Sequence, residues 1–265
     1  MEVFTEWWRE TVFGLREHAS DDVIVVLLGF VTMLFTYYTT SFLLLITDAT
    51  QVPAWLSGRR IQKSRPFAFE KTSYNPSFAT LMGNVLANQF VVILPTLFVL
   101  QAVTGGVYLT PSLPPWREIV YYQLPATLLL VETLFYWSHR SLHHPKIYKY
   151  VHKKHHEYKA PHAFAAIYAH WFEALVGNCL CVMGPAFVLR FHALTFMAGM
   201  AIGWVQTCLG HSGYLLPGDK HDLHHSLTHC WFGTYGLWDW VCGTGRVKQL
   251  GIENRRLSMA KTRVE

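Results

Sequence analysis

The first half of the chain is dominated by long apolar runs that contain almost no charged residue. Residues 23–47 form a run of 25 residues without a charge. As a helix this run would span roughly 37 Å, which exceeds the ~30 Å hydrocarbon core of a bilayer. A signal peptide has a shorter apolar region and a basic start, whereas the segment before this run is acidic. The run therefore predicts a membrane-spanning helix.

Further apolar runs predict three or four more helices in the membrane. They cover residues 78–103, 119–138, 174–189 and 191–209. The run at 119–138 carries one acid, Glu132, and Arg190 separates the last two runs. Because the run at 174–189 is short, it predicts either a spanning or a re-entrant helix. The pattern predicts an all-α integral membrane protein with four or five membrane-embedded helices.

Lysine and arginine are distributed unevenly around these runs, which predicts how the chain crosses the bilayer. Only Arg9 and Arg16 precede the first run, among six acidic residues. Two sets of five basic residues follow the first and the third run: Arg59, Arg60, Lys63, Arg65 and Lys71, then Lys146, Lys149, Lys153, Lys154 and Lys159. Because basic loops remain in the cytosol, the N-terminus is predicted to be lumenal and the segment after residue 138 cytosolic.

The composition supports a membrane protein and excludes several other classes. Apolar residue types make up 51% of the chain and charged types 15%, against about a quarter charged in soluble domains. The net charge of +5 is explained by the basic loops and suits anionic lipid, so no nucleic-acid partner is predicted. The five cysteines form no CxxC pair, and neither a disulfide framework nor a cysteine zinc site is predicted.

Histidine is concentrated in the second half of the chain. Fourteen of the 15 histidines lie between residues 139 and 229. Three clusters share the closely related spacings HxxxHH and HxxHH: His139, His143 and His144; His152, His155 and His156; His221, His224 and His225. On a helix, offsets of three and four residues return to one face, so each cluster predicts a row of imidazoles. His144 is the weakest member, because the following Pro145 disfavours helical backbone there.

So many clustered imidazoles indicate metal binding. A purely structural role would leave buried ring nitrogens without partners, at a cost of roughly 1–3 kcal/mol each. One tetrahedral zinc site uses four ligands, too few for these clusters, whereas two centres with four or five imidazoles each would use them all.

Ligand type alone does not choose the metal, because imidazole suits iron, zinc, copper and nickel alike. Two metals on neutral nitrogens beside a membrane favour redox chemistry with O2, since hydrolysis would recruit bridging carboxylates. A membrane metal transporter or storage protein is the alternative from another class. It predicts ionisable residues along several membrane helices, and only Glu132 qualifies.

Ordered motifs between residues 116 and 245 resemble the fatty acid hydroxylase/sterol desaturase superfamily. They read FYWSHRSLHHP at 135–145, YVHKKHHEYKAP at 150–161, YAH at 168–170, HSGY at 211–214, HDLHH at 221–225 and GTG at 243–245. Within this superfamily the chain is similar to the sterol C4-methyl oxidases and to fatty acid hydroxylase domain-containing proteins.

The resemblance implies a multi-pass di-iron monooxygenase of the endoplasmic reticulum with a cytosolic, helical, histidine-rich cap. Two iron ions would be held by the three clusters together with His170 and His211. Electrons would come from NAD(P)H through cytochrome b5 and its reductase, or a similar carrier. The first candidate substrate is a sterol C4-methyl group. Hydroxylation or desaturation of a fatty acyl, sphingolipid or terpenoid lipid on the same iron site is the alternative.

Acidic residues near the clusters are candidates to orient a ligand through its second ring nitrogen. Glu132 lies seven residues before His139, about two helical turns. Four further candidates are Glu157, Glu173, Asp222 and Asp239. His162 and His192 are expected to lie outside the site.

Four segments follow from these observations. We expect an interfacial segment at 1–22, whose aromatic residues could equally cap the first membrane helix. Membrane helices and the basic cytosolic loop occupy 23–115, the fatty acid hydroxylase domain with its three histidine boxes occupies 116–245, and a basic tail occupies 246–265.

Overall fold

The computed structural model of the chain describes residues 2–61, 76–216 and 220–245. Of the described residues 74% are helical, and none forms a strand. Within the described ranges, five helices are long and apolar enough to cross a bilayer. They are called the first to fifth spans in chain order: Asp21–Thr50, Phe78–Thr104, Trp116–Leu142, Trp171–Val188 and Ala193–Gly210. The predicted all-α membrane architecture is confirmed, with five spans.

Shorter helical segments precede, connect and follow the spans. They are Glu2–Trp7, Trp8–Val12, Phe13–Glu17, Ala54–Ser57, Pro145–Tyr148, His152–Glu157, Ala163–Ile167, Lys220–Leu227 and Leu237–Val241. The predicted basic loop is described only in part, because Lys63, Arg65 and Lys71 lie outside the described residues, as does the predicted basic tail at 246–265.

Three of the spans contain a wide π-helical turn immediately before a proline. The turns Asn88–Ile93, Ile119–Gln123 and Ala174–Met183 are followed by Pro95, Pro125 and Pro185. A proline inside a helix has no N–H to donate, and its ring collides with the carbonyl four residues earlier. The preceding turn relieves this collision by widening, so the spans continue past their prolines.

The first span makes its main contacts with two other spans. It packs most extensively against the fifth span and also against the second. Gly29 permits this approach, because a Cβ at that position would overlap the ring of Phe196. The third span packs against the fourth instead. The third and fifth spans therefore stand on opposite sides of the space described below as a cavity.

The N-terminal segment and the loop after the second span meet at one end of the bundle. Trp8 donates from Nε1 to the carbonyl of Thr110 at 2.8 Å, and Gln101 donates to Asp22 at 2.8 Å. Trp8 is fully buried, whereas Phe4 and Trp7 of the same segment are exposed.

The histidine-bearing segments lie at the opposite end of the bundle. There the end of the first span carries Asp48, which accepts from Arg60 at 3.0 Å and from the hydroxyl of Tyr214. The N-terminal segment and the histidine-bearing segments therefore lie at opposite ends of the bundle, as the predicted order of membrane crossings requires. That the histidine end faces the cytosol stays a prediction.

Candidate metal centre

Nine of the predicted histidines converge into two groups. The five-ring group consists of His139, His143, His152, His156 and His224, and the four-ring group consists of His155, His211, His221 and His225. Within each group one nitrogen per ring lies within 4.8 Å of every other. Eight of the nine rings come from the three boxes, and the ninth is His211, which follows the end of the fifth span.

Two of the boxes supply rings to both groups, so the prediction of one row per box is wrong. In Lys220–Leu227, His221 and His225 join the four-ring group, while His224 joins the five-ring group. At 3.6 residues per turn, offsets of three and four residues diverge to either side of the starting position. The second box forms a 3₁₀ helix, His152–Glu157, and sends only His155 to the four-ring group.

The ring nitrogens are spaced as ligands of one ion would be. In the five-ring group, Nε2 of His152 lies 3.1 Å from Nε2 of His139 and 3.0 Å from Nε2 of His156. In the four-ring group, Nε2 of His211 lies 3.2 Å from that of His155 and 3.0 Å from that of His221. Nitrogens at right angles around an ion at ~2.1 Å lie about 3 Å apart. The donor sets therefore fit a metal ion in each group.

The second nitrogen of most of these rings bonds to a fixed acceptor. His139 and His224 donate from Nδ1 to the carbonyls of Phe232 and Cys230 at 2.8 and 2.7 Å. The four-ring group uses backbone carbonyls too: His155 to Tyr168 at 2.9 Å, His211 to Thr207 at 2.8 Å and His225 to Tyr158 at 3.0 Å. A carbonyl only accepts, so Nδ1 carries the hydrogen and the Nε2 lone pair points into the group.

These lone pairs need a cation. The Nε2 atom of His225 is buried without any hydrogen-bond partner, and bare lone pairs 3 Å apart repel each other. A metal ion between the rings would satisfy these nitrogens, and imidazole in this neutral form is its usual ligand.

Burial keeps the rings neutral. It lowers the pKa of His155 to about 4 and that of His211 to about 3. Burial also lowers the pKa of the other rings outside the spans, with a further contribution from neighbouring rings: His143, His152, His156, His221, His224 and His225. At neutral pH the site therefore presents lone pairs and no positive charge to an incoming cation.

Of the predicted carboxylates, Glu173 contacts a ring directly. Its Oε1 lies 2.8 Å from Nδ1 of His152, within ion-pair distance but outside hydrogen-bond geometry, where a carboxylate can orient a metal-ligating histidine. Glu173 begins the fourth span and is buried, and its other oxygen, Oε2, has no hydrogen-bond partner.

Glu132 acts one step further from the rings than the sequence predicted. Its carboxylate contacts no ring and instead accepts from four backbone amides, those of Thr234, Tyr235, Gly236 and Trp238, at 2.7 to 3.3 Å. It therefore fixes the loop that begins with Phe232, the carbonyl partner of His139. A buried acid inside a span is expensive, and these four donors satisfy it.

Asp239 supports the same loop from the other side. Its carboxylate accepts from the amides of Phe232 at 3.0 Å and Gly233 at 2.7 Å. A Cβ at residue 233 would lie 2.7 Å from Oε1 of Glu132 and 2.9 Å from Oδ2 of Asp239. Only glycine lets the backbone pass between the two carboxylates.

The two remaining predicted acids are Glu157 and Asp222. Glu157 is exposed and accepts from the hydroxyl of Tyr168 at 2.6 Å, so it reaches His155 only through the backbone of that tyrosine. Asp222 is buried between ligands on Lys220–Leu227.

Two predicted ligands lie outside both groups. His144 is exposed, and its Nδ1 accepts from the amide of Lys146 at 3.3 Å. His170 is half-buried, and its Nδ1 accepts from the amide of Phe172 at 3.2 Å. Each ring caps the start of a helix, which turns it away from the centre. His162 and His192 also lie outside the groups, as expected.

The first two spans hold the loop that leads from the second box to the fourth span. Asn88 donates to the carbonyls of Ile167 at 3.0 Å and Ala169 at 3.1 Å. Asn84 accepts from the amide of Ala169 at 3.0 Å, and Tyr37 donates to the carbonyl of Phe164 at 2.8 Å. These contacts position Tyr168, the partner of His155. Two asparagines four residues apart in an apolar run are the sequence signal for this contact, although neither was among the predicted site residues.

A cavity of about 640 Å³ extends from the two histidine groups into the membrane-spanning region. Its volume lies in the range of small-molecule sites, and its walls are mainly apolar as such sites usually are. The third, fourth and fifth spans form the walls, and His139, His152, His155, His211 and His221 lie at its inner end. Along the third span it runs from His139 to Leu124, roughly 22 Å of helix rise. A lipid lying along the spans would therefore reach both groups.

Residues 124–244, which contain all three boxes, match the family model for fatty acid hydroxylase. Fatty acid hydroxylase domain-containing protein 2 of Homo sapiens is 32% identical over 222 residues, or 78% of this chain and 63% of that protein. Fatty acid hydroxylase ahd1 of Mycosarcoma maydis is 34% identical, over 76% of this chain and 52% of that protein. Methylsterol monooxygenase 2-2 of Arabidopsis thaliana is 33% identical, over 51% and 56%.

The chain thus spans less than two thirds of the length of each of these relatives. No solved structure matches it. The family match covers the residues that build both histidine groups and the walls of the cavity. This chain therefore belongs to the fatty acid hydroxylase/sterol desaturase superfamily, as its ordered motifs predicted.

Proposed function

We propose that this protein is a di-iron, O2-dependent monooxygenase that hydroxylates an unactivated C–H bond of a membrane lipid. The observation that supports it best is the pair of all-imidazole groups at the inner end of a mainly apolar cavity. The lipid, O2, two electrons and two protons are consumed, and the alcohol and water are formed.

The five-ring and four-ring groups would hold one iron ion each. Bound there, the two ions would supply the O2 and electron-transfer chemistry that amino-acid side chains lack. The protein itself contributes the fixed rings, the apolar walls that bind the lipid, and the exclusion of bulk water from the inner end of the cavity.

Electrons would come from NAD(P)H through cytochrome b5 or a similar carrier. Exposed lysines lie on the histidine end of the bundle, among them Lys146, Lys149 and Lys153, and would attract an acidic carrier. This basic end would also face the cytosol by the positive-inside rule, which suits an endoplasmic-reticulum membrane.

The first substrate to test is a sterol C4-methyl group, with fatty acyl, sphingolipid and terpenoid lipids as alternatives. The names of the relatives include both a methylsterol monooxygenase and fatty acid hydroxylases. Membranes containing the protein would be incubated with 4,4-dimethylsterol, NADH and O2, and the products followed by mass spectrometry. Consumption of an acyl or terpenoid lipid without any oxidised sterol would transfer the assignment to that lipid.

Metal analysis tests the centre itself. The purified chain should contain close to two irons, and His155→Ala and His224→Ala should lose both metal and turnover. His144→Ala is the matched control, because that exposed ring belongs to neither group. Full turnover in the His155 and His224 variants would reject the proposal.

A further inference from the structure

Three glycines lie on the cavity walls at places where side chains would otherwise project. Gly177 is on the fourth span, and Gly199 and Gly203 are four residues apart on one face of the fifth span. A Cβ added at any of the three would meet no atom within 4 Å. They differ from Gly29, whose missing side chain is filled by the Phe196 ring. Gly177 is buried and Gly203 half-buried, so the open space beside them is cavity, whereas Gly199 is exposed and lines the cavity where it opens.

The part of the cavity that these glycines line lies on the membrane side of the histidines. Gly203 and Gly199 precede His211 by eight and twelve residues, roughly 12 and 18 Å of helix rise. Gly177 follows Glu173 by four residues, roughly 6 Å. A lipid with its reacting carbon at the rings would therefore have its body between these walls.

A buried polar group at the inner end independently points to a ligand. Glu173 lines the cavity, is 8% exposed, and its Oε2 has no hydrogen-bond partner. An unpaired buried oxygen of this kind is costly, and a hydroxyl donor on a bound lipid would satisfy it.

The cavity also has an opening between the third and fifth spans. Leu124 and Leu128 of the third span and Ile202 of the fifth span line it and are 49%, 40% and 69% exposed. These two spans pack against different partners, so the gap between them faces the surrounding bilayer.

We propose that Gly199 and Gly203, together with Gly177, set the width of the substrate channel and admit a rigid polycyclic lipid that a narrower channel would reject. This inference rests on the proposed function in one respect, that the cavity holds the lipid substrate. A valine at residue 199 or 203 would place two methyl groups in the path of a rigid ring system, whereas a flexible acyl chain can bend around them.

Photolabelling tests the inference without requiring iron or turnover. The purified full chain would be exposed to a diazirine-bearing sterol or a diazirine-bearing fatty acid, and the labelled peptides of the third and fifth spans quantified by mass spectrometry. Gly199→Val and Gly203→Val would be compared with the native chain. Gly83→Val is the matched control, because Gly83 is an exposed glycine of the second span whose Cβ would also meet no atom.

The expected result separates the two lipids. Sterol labelling should fall about tenfold in the two fifth-span variants, since added side-chain volume in the path of a rigid ligand weakens its binding. Fatty acid labelling should change by less than about twofold, within the small effects tolerated by flexible chains. Gly83→Val should label as the native chain does. Equal behaviour of the two lipids in the variants, whether both are retained or both are lost, would overturn the inference.

Iron content and turnover of the native chain would be measured beside the labelling. A native chain without iron or turnover that still shows the sterol-selective loss would reject the proposed function and leave the role of the glycines intact. Normal iron and turnover without that selective loss would do the reverse.

Discussion

The two histidine groups differ in the partners that hold their rings. In the five-ring group one ring, His152, contacts a carboxylate, that of Glu173. In the four-ring group the partners of His155, His211 and His225 are all backbone carbonyls. A carboxylate makes the opposite ring nitrogen more basic and adds negative charge near the ion. We therefore expect the five-ring group to bind its ion more tightly.

The difference in ring number predicts that the two ions would have different numbers of open coordination positions. Five imidazoles occupy more of the coordination positions of an ion than four do. Three members of the four-ring group, His155, His211 and His221, also line the cavity. The four-ring group is thus the place where an ion would have more room for a further ligand beside the substrate.

The largest expected effect comes from removing one ring of each group. His225→Ala should lower the iron content from two to one per chain by emptying the four-ring group, and His143→Ala should weaken the five-ring group. Both should abolish turnover, because the proposed reaction requires both ions. Metal analysis of the purified variants gives the stoichiometry. Loss of both ions in either variant would show that the two groups do not bind independently.

Glu132→Ala should destabilise the five-ring side of the site. The change leaves four amides without their acceptor, at roughly 1–3 kcal/mol for each that stays buried. The Phe232 carbonyl that holds His139 should then shift. Thermal unfolding in detergent would show a large drop in midpoint, together with loss of one iron. Glu157→Ala, at an exposed acid, is the control, and an equal drop there would contradict the assigned role.

Glu173→Gln separates the two groups more finely. Because the amide keeps the shape but removes the negative charge, iron affinity of the five-ring group should fall about 10–100-fold, while the four-ring group should be unaffected. Competition with a chelator at graded concentrations would resolve one iron-release step for each group. The two steps should lie further apart in the variant than in the native chain. A parallel weakening of both ions would remove the distinction between the groups.

Acid should destabilise the metal-free protein. The folded-state pKa of His155 is lowered from 6.5 to about 4 and that of His211 to about 3, so below pH 6.5 the unfolded chain takes up protons that the folded chain does not. Stability should therefore fall as pH decreases from about 6.5 towards 4, by up to roughly 1.4 kcal/mol per pH unit for each such ring. Unfolding midpoints of chelator-treated protein at pH 7.5 and 5.5 would measure this, and a higher midpoint at pH 5.5 would contradict it.

The smallest effects are expected at the two histidines outside the groups. His144→Ala and His170→Ala each remove a helix cap, which costs about 1 kcal/mol. Iron content should stay at the native value in both. A loss of iron in the His170 variant would return that residue to the ligand set that the sequence predicted.

The spans and the histidine boxes could be predicted because each has a strong periodic or compositional signal. A charge-free run of 25 residues admits few other structures, and three clusters of closely related spacing exceed chance. The division of the second and third boxes between two groups could not be predicted, because it depends on the relative positions of separate helices. The carbonyl partners of the rings, such as Phe232 and Tyr168, were equally hidden, since every residue has a carbonyl.

Glu132 shows how a correct signal can lead to the wrong contact. Its position inside an apolar run marked it as a residue with a specific role, and the structure confirms that it is buried in the third span. The spacing to His139 suggested a direct contact, but the loop after Cys230 lies nearer to that face of the helix. This loop lies about a hundred residues further along the chain, so the sequence around Glu132 could not indicate the contact.

The anchoring of residues 163–169 by Tyr37, Asn84 and Asn88 has a consequence for the lipid environment. These hydrogen bonds connect the loop that carries the Tyr168 carbonyl, the partner of His155, to the first and second spans. The tilt of membrane helices responds to bilayer thickness. Reconstitution in lipids of increasing chain length should therefore change the magnetic spectrum of iron in the four-ring group before that of iron in the five-ring group. The geometry of the metal centre would then depend on the thickness of the surrounding bilayer.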